Sequence, residues 1–140
     1  MRFDFPDFVP SRLVPGGNAQ TVCGTWLPRL PEPQGTRLHR VDTTRTDQLA
    51  VHANRPASSV SSGRQVVLLH GLAGCHGSSY VLRACHRLLQ SGFGVWRMDA
   101  RGSGAGLLLA RYHHHAGRAE DLQAVVDHVA GQHPGTRLTI

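Results

Sequence analysis

The sequence predicts an α/β architecture, in which an antiparallel pair of strands leads into a parallel β-α-β-α-β run. Three observations predict it. Short strand-like segments at Val66–Leu69, Phe93–Met98 and Thr136–Ile140 alternate with two stretches of helical periodicity, Ser78–Gln90 and Arg118–Ala130. Each helical stretch is about 13 residues, long enough to carry a crossover between parallel strands. Glycine-rich loops follow the first two of these strands, at the sheet end where open α/β folds collect their ligands.

The composition agrees. The chain has 140 residues, 40% apolar and 17% charged, about one domain of ordinary globular make-up. That excludes a disordered chain, a collagen-like repeat and a disulfide-dense mini-protein. The longest apolar runs, Val66–Leu69 and Leu107–Ala110, are far too short to span a membrane. Asp4, Pro6, Asp7 and Pro10 stand where a secretory leader needs an apolar stretch. Cys23, Cys75 and Cys85 are an odd count without a CxxC pair, so the expectation is a reduced, cytoplasmic chain. The formal net charge is +6, yet every cation is Arg, none is Lys, and no two are adjacent. With no aromatic-rich strand among them, the sequence predicts no nucleic-acid partner.

The elements follow in order. Residues 1–34 are rich in Pro, Gly and aromatics, and read as an irregular arm. Residues 35–140 read as a partial domain. Leu38 and Val41, then Leu49, Val51 and Ala53, alternate as two antiparallel strands around Thr43–Asp47. Residues 55–64 form a polar connector, and Val66–Leu69 fits a strand buried on both faces. The first helix has Ser78 or Ser79 as its N-cap and Gly92 just past its end. The second carries Leu122, Val125, Val126 and Val129 as its stripe, with Glu120 and Asp121 in its first turn. Gly131 and Pro134 stop it before the last strand opens.

The loop His70-Gly71-Leu72-Ala73-Gly74 follows a buried strand directly. A Gly beside His70 allows a sharp turn that presents backbone N–H groups to a crevice. Such groups stabilise the oxyanion of acyl transfer by about 3–4 kcal/mol per donor. A plain tight turn is the other reading. A phosphate-binding P-loop is excluded by the absence of Lys, and a dinucleotide fingerprint by the spacing of GLAGCHG.

The block VVLLHGLAGCHGSSYV resembles the strand and oxyanion loop of α/β-hydrolases. More narrowly, it is similar to the YheT-like carboxylesterases, with their HGL-x-G segment followed by small residues and S-x-Y-V. Arg101-Gly102-Ser103-Gly104 matches that group's Arg-Gly loop, and His115-Ala116-Gly117 with Asp121-Leu122 matches its next motif. Gly17-Asn18-Ala19-Gln20-Thr21 matches an N-terminal motif in part. Three departures stand out: Asn18 and His114 replace the usual His and Tyr, with Tyr112 two residues early, and Arg45-Thr46-Asp47 replaces Asp-Gly-Asp.

The resemblance implies the N-terminal half of an α/β-hydrolase fold with an incomplete sheet. It implies Leu72 as oxyanion donor, His70, Gly71 and Gly74 as loop-shaping residues, and Arg101, Gly102 and Asp121 as scaffold. It also implies a small-molecule or lipid-like ester as substrate. No Ser lies in G-x-S-x-G, the elbow such an enzyme needs. The expectation is therefore a chain that ends before the nucleophile, acid and base and is inactive alone. A non-catalytic remnant or binding module on the same half-fold is the alternative. An uncovered edge at the last strand predicts self-association.

No cofactor and no metal site are predicted. The ten His include His113-His114-His115, with Cys75-His76 and Cys85-His86, but none has zinc-ligand spacing. Asp99 and Asp121 read as structural, Asp121 either paired with Arg101 or complementing its helix N-terminus. The loop RGSGAG lacks the third Gly of a nucleotide loop, and Leu107–Leu109 either line an acyl pocket or cover the sheet end.

Overall fold

A computed structural model describes residues 9, 12–14, 16–26, 30–44, 46–57, 59, 61–115 and 117–140. Arg45 and Ala116, singled out above, lie outside the described residues, as do residues 1–8 with Asp4, Pro6 and Asp7, and Pro10. Helix α1 spans Gly17–Trp26, strand β1 Arg37–Asp42 and strand β2 Gln48–Asn54. Strand β3 spans Gln65–Leu69, helix α2 Ser79–Gln90 and strand β4 Gly94–Asp99. A 3₁₀ turn at Gly104–Gly106 precedes helix α3, Ala119–Gln132, and strand β5, Leu138–Thr139. Helix α1 corrects the expectation of an irregular arm. Its described side chains are mostly exposed, so no apolar stripe marked it in the sequence.

The sheet order is β1-β2-β4-β3-β5. Strand β1 pairs antiparallel with β2, from Arg37 opposite Ala53 to Asp42 opposite Gln48. Strand β2 is antiparallel to β4, while β3 runs parallel to both β4 and β5. The crossover from β3 to β4 moves one way along the sheet, and the crossover from β4 to β5 moves back past β3. Because both turn with the same right hand, α2 and α3 fall on opposite faces.

The pleat divides the side chains accordingly, since alternate residues point to opposite faces. Leu49, Val51 and Ala53 of β2, Val67 of β3, and Trp96 and Met98 of β4 pack with Val125 and Val129 of α3 in one core. The other face carries Val66 and Val95 under Val81, Leu82 and Cys85 of α2. On that same face of β2 and β4 lie four buried polar residues: His52, Asn54, Arg97 and Asp99. Arg97 binds Asn54 Oδ1 at 3.0 Å, the His76 carbonyl at 3.1 Å and the Glu32 carboxylate. A buried guanidinium thus ties the segment before β1 to the central strand.

Helix α2 begins where Ser78 takes an extended N-cap conformation, but its hydroxyl accepts the Cys75 N–H at 3.0 Å rather than a helix amide. It ends in a Schellman motif. Gly92, at φ +85°, donates to the Leu89 carbonyl, and Phe93 to the Leu88 carbonyl. The predicted last strand, Thr136–Ile140, is shorter in the structure, with only Leu138 and Thr139 in the ladder. No described helix is long and apolar enough to cross a membrane.

All three cysteines are free thiols. Burial pushes the Cys85 thiol up to about 11, and Cys23 is exposed. At pH 8, a thiol reagent is expected to label Cys23 promptly. Labelling of Cys85 is expected only after denaturation, with modified residues identified by mass spectrometry.

Candidate active site

Strands β3 and β4 are neighbours whose outgoing chains leave for opposite faces of the sheet. Such a switch point opens a crevice beyond the carboxyl ends of the two strands. A cavity of about 440 Å³ lies there, between 70–73 of the loop after β3 and 100–103 of the loop after β4. His113–His115 close its third side.

His70 joins the two loops. Its Nε2 accepts the Ala100 N–H at 3.1 Å, so its Nδ1 carries the proton donated to the Gly71 carbonyl at 2.8 Å. The Gly71 N–H goes to the Tyr80 hydroxyl at 2.6 Å, and the Gly74 N–H returns to the Gly71 carbonyl at 3.0 Å. A side chain at Gly74 would be tight: its Cβ would sit 3.0 Å from the Gly71 carbonyl oxygen and 3.1 Å from His70 Cβ. With Ala73 at φ +58°, the turn leaves Leu72 fully exposed. Its amide has no acceptor among the described residues.

The second loop is held by charge. Arg101 is buried, and its Nε and Nη2 each reach a different Asp121 oxygen at 2.7 Å. Nη1 pairs with Asp47, and Nη2 also donates to Thr43 Oγ1 at 2.8 Å. The Asp121 carboxylate raises the Arg101 pKa above the ordinary arginine value, outweighing the opposing effect of burial. Asp47 is held low by the Arg111 N–H and by Arg101. One guanidinium therefore gathers the β1–β2 hairpin, the β4 loop and the first turn of α3. Gly102, at φ +74°, stands where a Cβ would lie 2.6 Å from His113 Nδ1. The Asp47 and Thr43 contacts lie outside what the local sequence pattern signals.

Asp99 anchors the same end of the sheet from beneath. It is fully buried and accepts the His76 N–H at 2.6 Å, His76 Nδ1–H at 2.7 Å and the Ala105 N–H at 2.9 Å. Burial pushes its carboxyl up, but His52 and the amides of His76 and Ala105 pull it further the other way, to about 2. His52 Nε2 lies 3.4 Å from Asp99 Oδ2. His52, His76 and Asp99 bring their ligand-type atoms within 4.8 Å of one another. Their two rings, however, are stacked at 3.5 Å and 15°. Lone pairs in near-parallel planes cannot meet on one ion at about 2 Å, so this stack is not arranged as a metal cage.

Two outcomes follow. Asp121→Ala strands a buried cation and is expected to cost about 3–5 kcal/mol in urea unfolding. For Asp99, the folded pKa lies below the unfolded value of about 3.9. Its stabilisation is therefore complete above about pH 4 and lost as pH falls through about 2. The stability gap between the parent and Asp99→Asn is expected to narrow over that window, as followed by urea unfolding at successive pH values.

A family model described as serine aminopeptidase, S33, matches residues 61–140. No curated protein matches the chain. Among solved structures, a lidless α/β serine hydrolase from Xanthomonas campestris is 25% identical with a TM-score of 0.64, over 79% of this chain and 50% of that one. A serine hydrolase homologue from Coxiella burnetii is 22% identical with a TM-score of 0.60, over 78% and 51%. An esterase from Pyrococcus furiosus, at 20% identity and a TM-score of 0.59 over 76% and 43%, shares the fold. The chain thus spans about half the length of the solved structures it matches. With its mixed sheet, its opposed crossovers and a family match over more than half its length, the chain belongs to the serine aminopeptidase S33 family, within the α/β-hydrolase superfamily.

Proposed function

We propose that these residues supply the oxyanion side of a serine carboxylester hydrolase of the YheT-like branch. The observation that carries this reading is Leu72, which borders the cavity and whose amide has no acceptor among the described residues. In acyl transfer, a serine hydroxyl adds to the ester carbonyl and gives its proton to a histidine. The carbonyl oxygen becomes an anion and takes the Leu72 N–H with one further donor. Collapse of that intermediate expels the alcohol, and water then frees the acid from the acyl-enzyme. No Ser of this sequence stands in G-x-S-x-G, so the reading assigns these residues the oxyanion side alone. His70 is not the base, because both of its ring nitrogens are occupied within the loop.

The order and spacing of the HGL-x-G block, the Arg101 loop and Asp121-Leu122 support the branch. The exposed side chain of Leu72 at the cavity supports a small-molecule or lipid-like acyl group.

The chain alone is expected to give no turnover of p-nitrophenyl esters. Joined to a segment bearing G-x-S-x-G, it is expected to hydrolyse them, with kcat lowered about 10²–10³-fold by Leu72→Pro, which removes the N–H. Turnover of aminoacyl p-nitroanilides in place of esters would move the reading to the peptidase chemistry named by the family match. Ester turnover by the chain alone that survived every Ser→Ala change would overturn it. A continuation without any nucleophile would identify the non-catalytic remnant.

A further inference from the structure

A second cavity, of about 290 Å³, lies at the other end of the sheet and includes Arg37, His39, Asn54, Arg55, Trp96 and His133 in its wall. The remaining lining residues are Gln34, Gly35, Ala53, Gln65 and Gln132, so among the described residues no carboxylate borders it. Arg37 and Arg55 are exposed, and among the described residues neither takes part in an ion pair. Elsewhere in the molecule the buried arginines do find carboxylates: Arg97 has Glu32, and Arg101 has Asp47 and Asp121. Here two guanidiniums and two imidazoles share a concave site with side-chain amides and no counter-charge.

The positive field registers on its neighbours. His39 is held below the ordinary histidine range first by burial, then by His128, Arg37 and Arg55. His133 is held low by burial and by Arg55. His39 Nδ1 also lies 3.1 Å from His128 Nε2 on α3, and the Trp96 ring packs edge-on against His39, His128 and His133. The site is thus braced by β1, β4 and α3.

We propose that this cavity binds a small, multiply charged oxyanion of the phosphate class, with Arg37 and Arg55 as its charged forks and the glutamine amides as neutral donors. Guanidinium forks match tetrahedral oxyanions in geometry as well as charge. A bound anion would relieve the repulsion on the two imidazoles and draw protons onto them. The site is independent of the hydrolase reading, since it lies away from the carboxyl ends of the parallel strands.

The test uses the full chain and two probes, inorganic phosphate and pyrophosphate, at constant ionic strength set with sodium chloride. Saturable binding is expected by calorimetry, tighter for pyrophosphate. The His39 and His133 imidazole resonances are expected to titrate at higher pH in its presence. Arg55→Gln and Arg37→Gln are expected to weaken pyrophosphate about tenfold each. Arg87→Gln, which removes the same charge from the exposed surface of α2, is expected to change it less than about twofold. Equal weakening by all three variants, or no saturable binding at constant ionic strength, overturns the proposal and leaves only diffuse attraction to a basic chain. Because all three arginines are exposed, the variants are expected to fold, which circular dichroism verifies.

Discussion

The buried guanidinium of Arg101 is the constraint on which the carboxyl end of the sheet is organised. A cation withdrawn from water is tolerated only where carboxylates and hydroxyls meet it. Asp121 supplies two oxygens, Asp47 a third and Thr43 a hydroxyl. These groups come from α3 and from the β1–β2 hairpin, so neutralising one charge fixes three segments at once. The loop after β4 has little freedom left, and it forms one wall of the crevice.

The opposite wall is fixed by hydrogen bonds of a different kind. His70 holds the β3 loop to the β4 loop through the Ala100 N–H, and Tyr80 takes up the Gly71 amide. Asp99 then holds both the approach to α2 and the 3₁₀ turn through backbone N–H groups. The Leu72 and Ala73 amides have no acceptor among the described residues, and an unpaired donor on a residue beside a crevice is the physical basis of the proposed chemistry. Topology places it there: a parallel pair whose outgoing chains diverge opens the sheet end without further help from side chains.

Much of this was legible in the sequence, for identifiable reasons. Strand-helix alternation, the Gly92 stop and the apolar stripe of α3 are local patterns, and the structure reproduces them with shifts of a residue or two. The resemblance points to Arg101 and Asp121, and of the two readings open at Asp121 the structure shows the pair with Arg101. Asp47 lies 54 residues from Arg101 and Glu32 65 residues from Arg97, and no periodicity signals contacts of that range. The same holds for the His52–His76 stack, which depends on which strand lies next to β4. Helix α1 has no apolar rhythm on its exposed surface, so no periodicity marks it in the sequence. Asn18, where the resemblance expects histidine, lies on that exposed helix, and nothing in the structure explains the difference.

Amide hydrogen exchange on the full chain, resolved by residue, tests whether charge neutralisation at Arg101 fixes the loops that leave Leu72 open. Rapid exchange is expected at Leu72, with strong protection at Ala100 and Gly71, and loss of the Ala100 protection in Arg101→Gln. A protected Leu72, or an Ala100 amide that stays protected without the guanidinium, would contradict it.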